Sequence, residues 1–157
     1  MQYALRRRMM MTNRIPQLFY YGPAPQLSAA RNRISATTVG NYALFGGGWG
    51  SGNAKFSTVD AYNTSLTRTT PTALSVERGA SAATTVGNYA LFGGGYGSDP
   101  LSTVDAYDTS LTRTTPTALR VAREFLAATT VGNYALFGGG RDSHYYFSST
   151  VDAYQVK

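Results

Sequence analysis

Apolar residues between positions 82 and 119 fall in short extended stretches and never recur at helical spacing. Residues 82–86 (AATTV) are small and β-branched, which suits a strand in a crowded interior. Gly87-Asn88 follows as a tight two-residue turn. Tyr89 to Phe92 are apolar on both faces, the pattern of a strand sandwiched between layers, and three glycines end it. Residues 102–107 (STVDAY) alternate, with Thr103, Asp105 and Tyr107 on one side and Val104 and Ala106 on the other. A turn at Asp108-Thr109-Ser110 leads into a threonine-rich outer strand over 111–119, where Arg113 and Pro116 suit a solvent-facing edge. The expected unit is four antiparallel strands, and the class is all-β.

This unit recurs. ATTVGNYALFGGG occupies 36–48, 83–95 and 128–140, and STVDAY occupies 57–62, 102–107 and 149–154. TSLTRTTPTAL occurs twice, at 64–74 and 109–119. A period of 47 then 45 residues marks a repeat architecture, in which each unit buries its apolar faces against its neighbours. Four strands of this length with a glycine cluster ending the second predict a propeller blade. The run Tyr89-Ala90-Leu91-Phe92-Gly93-Gly94, the Tyr107-Asp108 pair and the arginines before each first strand (Arg31, Arg78, Arg123) resemble the kelch repeat. The near-identical copies are similar to bacterial tandem kelch proteins, over roughly residues 25–154. The resemblance implies a kelch-type β-propeller. Kelch blades usually carry a tryptophan in the outer strand, where this chain has Leu66 or Leu111 among threonines.

The copies divide the chain into a basic N-terminal segment, 1–24, expected to be poorly ordered, and a repeat domain, 25–157. Its blades are expected at 36–74, 83–119 and 128–154, the last without an outer strand. Residues 25–31 align with the end of the first blade and predict a displaced outer strand. Three blades are fewer than the four to eight of typical propellers. The expectation is a partial propeller, or half of a six-bladed ring closed by head-to-tail self-association.

The net charge of +6 does not spread over the repeats. No acid precedes Asp60, while Arg6, Arg7, Arg8, Arg14, Arg31 and Arg33 all lie upstream of the first repeat. The repeats are neutral, which argues against a polyanion-binding groove and therefore against nucleic acid as partner. Cysteine is absent, which removes disulfides and thiolate metal sites. Neither a leader core nor a membrane-spanning run is legible, and the compartment is open, with the cytoplasm favoured.

Candidate chemistry lies where the copies differ. The loops between second and third strands carry Trp49, Lys55 and Phe56, then Tyr96 and Asp99, then Arg141, His144, Tyr145 and Tyr146. Strand alternation puts these loops on one face with the blade connections, whereas the opposite turns are unchanged. Variable loops rich in aromatics and arginine on a constant scaffold predict a recognition surface. Arg31, Arg78 and Arg123, with Asp60, Asp105 and Asp152, recur in every copy and are expected to be structural. The glycine runs lack the following helix and Lys-Ser/Thr of a phosphate loop. A lone histidine beside Asp142 gives neither a metal site nor a catalytic set, so no cofactor and no enzyme activity are expected. The predicted function is a protein- or glycan-binding scaffold; the alternative is a structural array without a dedicated ligand.

Overall fold

The computed structural model describes residues 15–157, all of them outside α-helix. Most of the basic segment, including Arg6, Arg7, Arg8 and Arg14, lies outside the described residues. Residues 15–24 have no regular secondary structure, and Leu18, Phe19, Tyr20 and Tyr21 are exposed.

Three antiparallel sheets follow in chain order. The first contains β1 (Ser35–Val39), β2 (Tyr42–Gly46), β3 (Val59–Tyr62) and β4 (Arg68–Thr69). The second contains β5 (Ala82–Val86), β6 (Tyr89–Gly93), β7 (Val104–Tyr107) and β8 (Arg113–Thr114). The third has three strands, β9 (Ala127–Val131), β10 (Tyr134–Gly138) and β11 (Val151–Gln155). A single 3-10 turn at Ser51–Asn53 interrupts the first long loop. The register is identical in each copy: Val39 faces Tyr42, Val86 faces Tyr89 and Val131 faces Tyr134. The connecting turns place Gly40, Gly87 and Gly132 at φ of 52, 54 and 53°, a conformation that costs other residues a steric penalty.

The first strands β1, β5 and β9 lie side by side at the inner edge, joined by hydroxyl contacts. Ser35 meets Ser81 at 2.7 Å, Thr37 meets Thr85 at 2.6 Å, and Thr84 meets Thr130 at 2.8 Å. Small hydroxylated residues therefore solve the crowding there twice, by size and by pairing. Two apolar clusters fill the spaces between sheets. One surrounds Val39, Leu44, Val59, Phe92 and Tyr107; the other surrounds Val86, Leu91, Val104, Leu126 and Phe137.

The outer strands differ from expectation. Only Arg68–Thr69 and Arg113–Thr114 pair, in place of a strand over 111–119. Leu111 takes φ of 61° in the turn, Pro116 has no N–H to give to a ladder, and Leu119 turns inward to be buried. Arg113 is not simply a solvent-facing edge residue: its Nη1 donates to the Ala73 carbonyl at 2.6 Å. The segment 25–31 also forms no strand. Its Pro25 carbonyl accepts the Tyr62 hydroxyl at 2.7 Å, as Thr72 accepts Tyr107 and Thr117 accepts Tyr154. It therefore takes the position that the inter-sheet connections hold in the later copies.

Candidate functional site

Arginines and aspartates of the repeat meet in the interior. Arg31 reaches Asp60 at 2.8 Å and Arg78 reaches Asp105 at 2.9 Å, with all four side chains fully buried. Arg123 reaches Asp152 at 2.5 Å, where the aspartate is 17% exposed. Each arginine also bonds carbonyls of its own sheet: Arg31 to Gly47, Arg78 to Phe92 and Arg123 to Gly139. Each aspartate accepts a further backbone N–H from the incoming connection, at Ser28, Ser75 and Arg120. Burial lowers the pKa of Arg78, and the Asp105 charge and hydrogen bond oppose that shift. These six residues bind the connection to the second and third strands. Five of the six side chains are sealed from solvent, and only Asp152 reaches it, at a shallow depression beside Arg120 and Tyr154.

The insert face is built differently. The residue after each glycine run pairs by backbone with the preceding connection: Trp49 with Asn32, Tyr96 with Gly79 and Arg141 with Glu124. Return strands of the loops pair with the same residues, at Lys55, Pro100 and Phe147. Trp49, Tyr96 and Arg141 are thereby fixed on rigid backbone beside the inner edge. The connection next to each contains a residue at positive φ, Arg33 (52°), Ala80 (55°) or Phe125 (55°). The Ala80 N–H donates to Arg33 and the Phe125 N–H donates to Ala80, both at 2.9 Å, so these residues adjoin across the sheets.

The side chains there form a continuous series of rings and cations. Lys55 Nζ lies 5.3 Å from the Tyr96 ring, and Tyr96 meets Trp49 edge-on at 5.9 Å. The Arg33 guanidinium stacks on Trp49 at 4.0 Å and reaches the Phe125 ring at 5.3 Å. Arg141 approaches the other neighbours, Phe125 at 5.0 Å and Tyr145 at 5.1 Å, and its Nε donates to Glu124 at 2.8 Å. Such contacts contribute about 0.5–1 kcal/mol each at exposed sites. Trp49 packs directly against Gly79, which offers no Cβ; one would stand 2.4 Å from the indole. The Trp49 Nε1 is buried without a hydrogen-bond partner among the described residues, an energetic cost located at the middle of this face.

Four of the expected binding residues, Trp49, Lys55, Tyr96 and Arg141, thus come together, with Tyr145 at the edge. Phe56 turns inward against Gly50 and beneath the Arg31 guanidinium, 5.9 Å from its ring. Asp99 is exposed on its own loop. His144 stacks on Tyr146 at 6.1 Å, out on a loop held by Asp142, which accepts the His144 and Tyr146 N–H groups. Sequence reasoning missed Arg33, Phe125 and Glu124. The connections were visibly variable, but only the left-handed backbone at 33, 80 and 125 reveals that their side chains rise into the same surface. Among the described residues, no group of three or more His, Asp or Glu side chains could hold a metal ion. No helix among them is long and apolar enough to cross a membrane.

No family model matches the chain, and no curated protein matches it. Among solved structures, that of YjhT superposes with a TM-score of 0.75 at 13% sequence identity. The match covers 88% of this chain and 46% of that one. The likeness is one of fold alone, and this chain spans less than half of YjhT.

Proposed function

We propose that the three sheets are kelch-type propeller blades and that the chain is a non-catalytic module binding a protein or glycan through its insert face. The observation that carries this reading is the unbroken series Lys55–Tyr96–Trp49–Arg33–Phe125–Arg141–Tyr145, which crosses all three sheets. It is assembled from segments that differ between copies, on a scaffold that does not. Rings held on fixed backbone lose little freedom on binding, and a guanidinium stacked as Arg33 is on Trp49 presents its edge N–H donors to carboxylates or hydroxyls. Anchors of this kind dominate recognition energetics. The propeller part of the reading is supported by the shared register of the sheets, the adjoining first strands and the fold likeness to YjhT.

The triple variant Trp49→Ala/Tyr96→Ala/Arg141→Ala tests it. Immobilised wild-type chain screened against a glycan array and a peptide library retains specific ligands, and the variant loses them while keeping the wild-type circular dichroism spectrum. Retention that the variant matches would contradict the assignment of this face. No retention by the wild type would favour the structural array.

A further inference from the structure

Both internal interfaces share one set of equivalent residues at their centres and differ at one margin, where Leu126 in the second holds the position of Ser81 in the first. Val39, Leu44 and Val59 of the first sheet pack against Ala90, Phe92 and Tyr107 of the second. Val86, Leu91 and Val104 of the second pack against Ala135, Phe137 and Tyr154 of the third. In each, a phenylalanine ring lies over the last glycine of the preceding second strand. A Cβ on Gly46 would stand 2.8 Å from the Phe92 ring, and one on Gly93 would stand 2.7 Å from Phe137. The pair acts as plug and socket.

A third plug and a third socket exist, and nothing among the described residues joins them. A Cβ on Gly138 would meet only Val151 of its own sheet, at 3.4 Å. Val131 and Val151 are 64% and 57% exposed, whereas their counterparts Val39 and Val59 are buried at 1% and 0%. At the other end, Phe45, Ala43 and Tyr62 line an apolar depression of about 350 Å³, bordered by Pro25, Leu27 and Leu66. Leu66 is exposed there, while its counterpart Leu111 packs in the first interface.

The backbone is unfinished in the same places. Gly48 donates to the Arg78 carbonyl and Gly95 to the Arg123 carbonyl, each at 2.8 Å. The equivalent donor, Gly140 N–H, and the equivalent acceptor, the Arg31 carbonyl, have no such partner among the described residues. The inner series that joins Arg33, Ala80 and Phe125 likewise ends in the Arg33 N–H at one side and the Phe125 carbonyl at the other.

We propose that the occupant of both open faces is a second copy of this chain. Phe45 of each copy lies over Gly138 of the other, Arg31 carbonyl accepts from Gly140, and Phe125 carbonyl accepts from Arg33. The contact is heterologous, and two such contacts close two chains into one ring. Equivalent residues make the centres of the two interfaces already present, and the third would repeat those centres with Ile34 at the position of Ser81 and Leu126. One copy matches 46% of YjhT, which leaves unmatched a share of that fold a little larger than one copy covers. The inference rests on the blade reading of the repeats and is independent of the ligand.

Sedimentation velocity of the full 157-residue chain across the micromolar range tests it, beside Gly138→Leu and Phe45→Ser. Gly138 lies outside the positive-φ region, so leucine fills an empty socket without straining its own sheet. The wild type is expected at twice the chain mass, and each variant at one chain mass with an unchanged β spectrum. Mixing the variants restores association in part, because one intact plug then meets one intact socket. A wild type that stays at one chain mass, an open-ended polymer, or association indifferent to both variants would overturn the proposal. A one-chain mass with a cooperative β melt would overturn it while leaving the blade reading standing; a wild type without β structure would remove that reading too.

Discussion

Asp105 shows how one side chain holds a sheet and its connection together. Its carboxylate takes the Arg78 guanidinium at 2.9 Å and the Ser75 N–H at 3.1 Å, in full burial. Replacing it leaves a buried cation without its counter-charge, so Asp105→Ala is expected to cost about 3–5 kcal/mol in urea unfolding. Asp152→Ala should cost less, because water reaches Asp152 and can solvate Arg123 in part. The repeat tyrosines respond to pH. Burial, with the Asp152 charge second, pushes Tyr154 up to about 12. Burial likewise pushes Tyr107 up, with Asp105 adding to it. Each hydroxyl donates to a carbonyl of the connection and must keep its proton to do so. An unfolded phenol ionises near 10. The stabilisation is therefore fully present below about pH 10 and is lost as pH rises through the folded pKa. Urea midpoints should fall with pH in this window, and Tyr154→Phe should flatten that fall. A slope unchanged by the substitution would assign the alkaline loss to other groups.

At the scale of elements, the ends of the second strands set the spacing between sheets. Gly46 and Gly93 each lie beneath a phenylalanine ring, whereas Gly138 does not. Gly93→Ala should cost about 1–3 kcal/mol through overpacking. Gly138→Ala in dilute, unassociated chain should stay within about 0.5 kcal/mol. Equal losses at the two positions, read by thermal or urea unfolding, would remove the plug-and-socket account. The first three strands of each sheet were legible because their signals are local: alternation in STVDAY, a Gly-Asn turn, glycines after an apolar run. The outer strand was not. Its threonines read as β-formers, yet Leu111 at positive φ, Pro116 and the inward Leu119 leave only Arg113–Thr114 to pair. Those are tertiary demands, and propensity does not register them.

For the whole molecule, near-identical repeats give closely similar interfaces, and among the described residues the three sheets leave one face of each kind open. The copies made the all-β organisation in three antiparallel sheets readable from letters alone. The insert face was readable only in part, since Arg33 and Phe125 look like ordinary connection residues until the backbone places them between Trp49 and Arg141. The same backbone decides how the open faces can be tested. Amides of Gly48, Gly95, Ala80 and Phe125 donate across sheets within one chain, while those of Gly140 and Arg33 have no such acceptor there among the described residues. Hydrogen exchange of these six amides at rising chain concentration is the most direct measurement. The first four should be protected throughout, and Gly140 and Arg33 should gain comparable protection as concentration increases. Fast exchange of Gly140 and Arg33 at every concentration would contradict closure by a second copy.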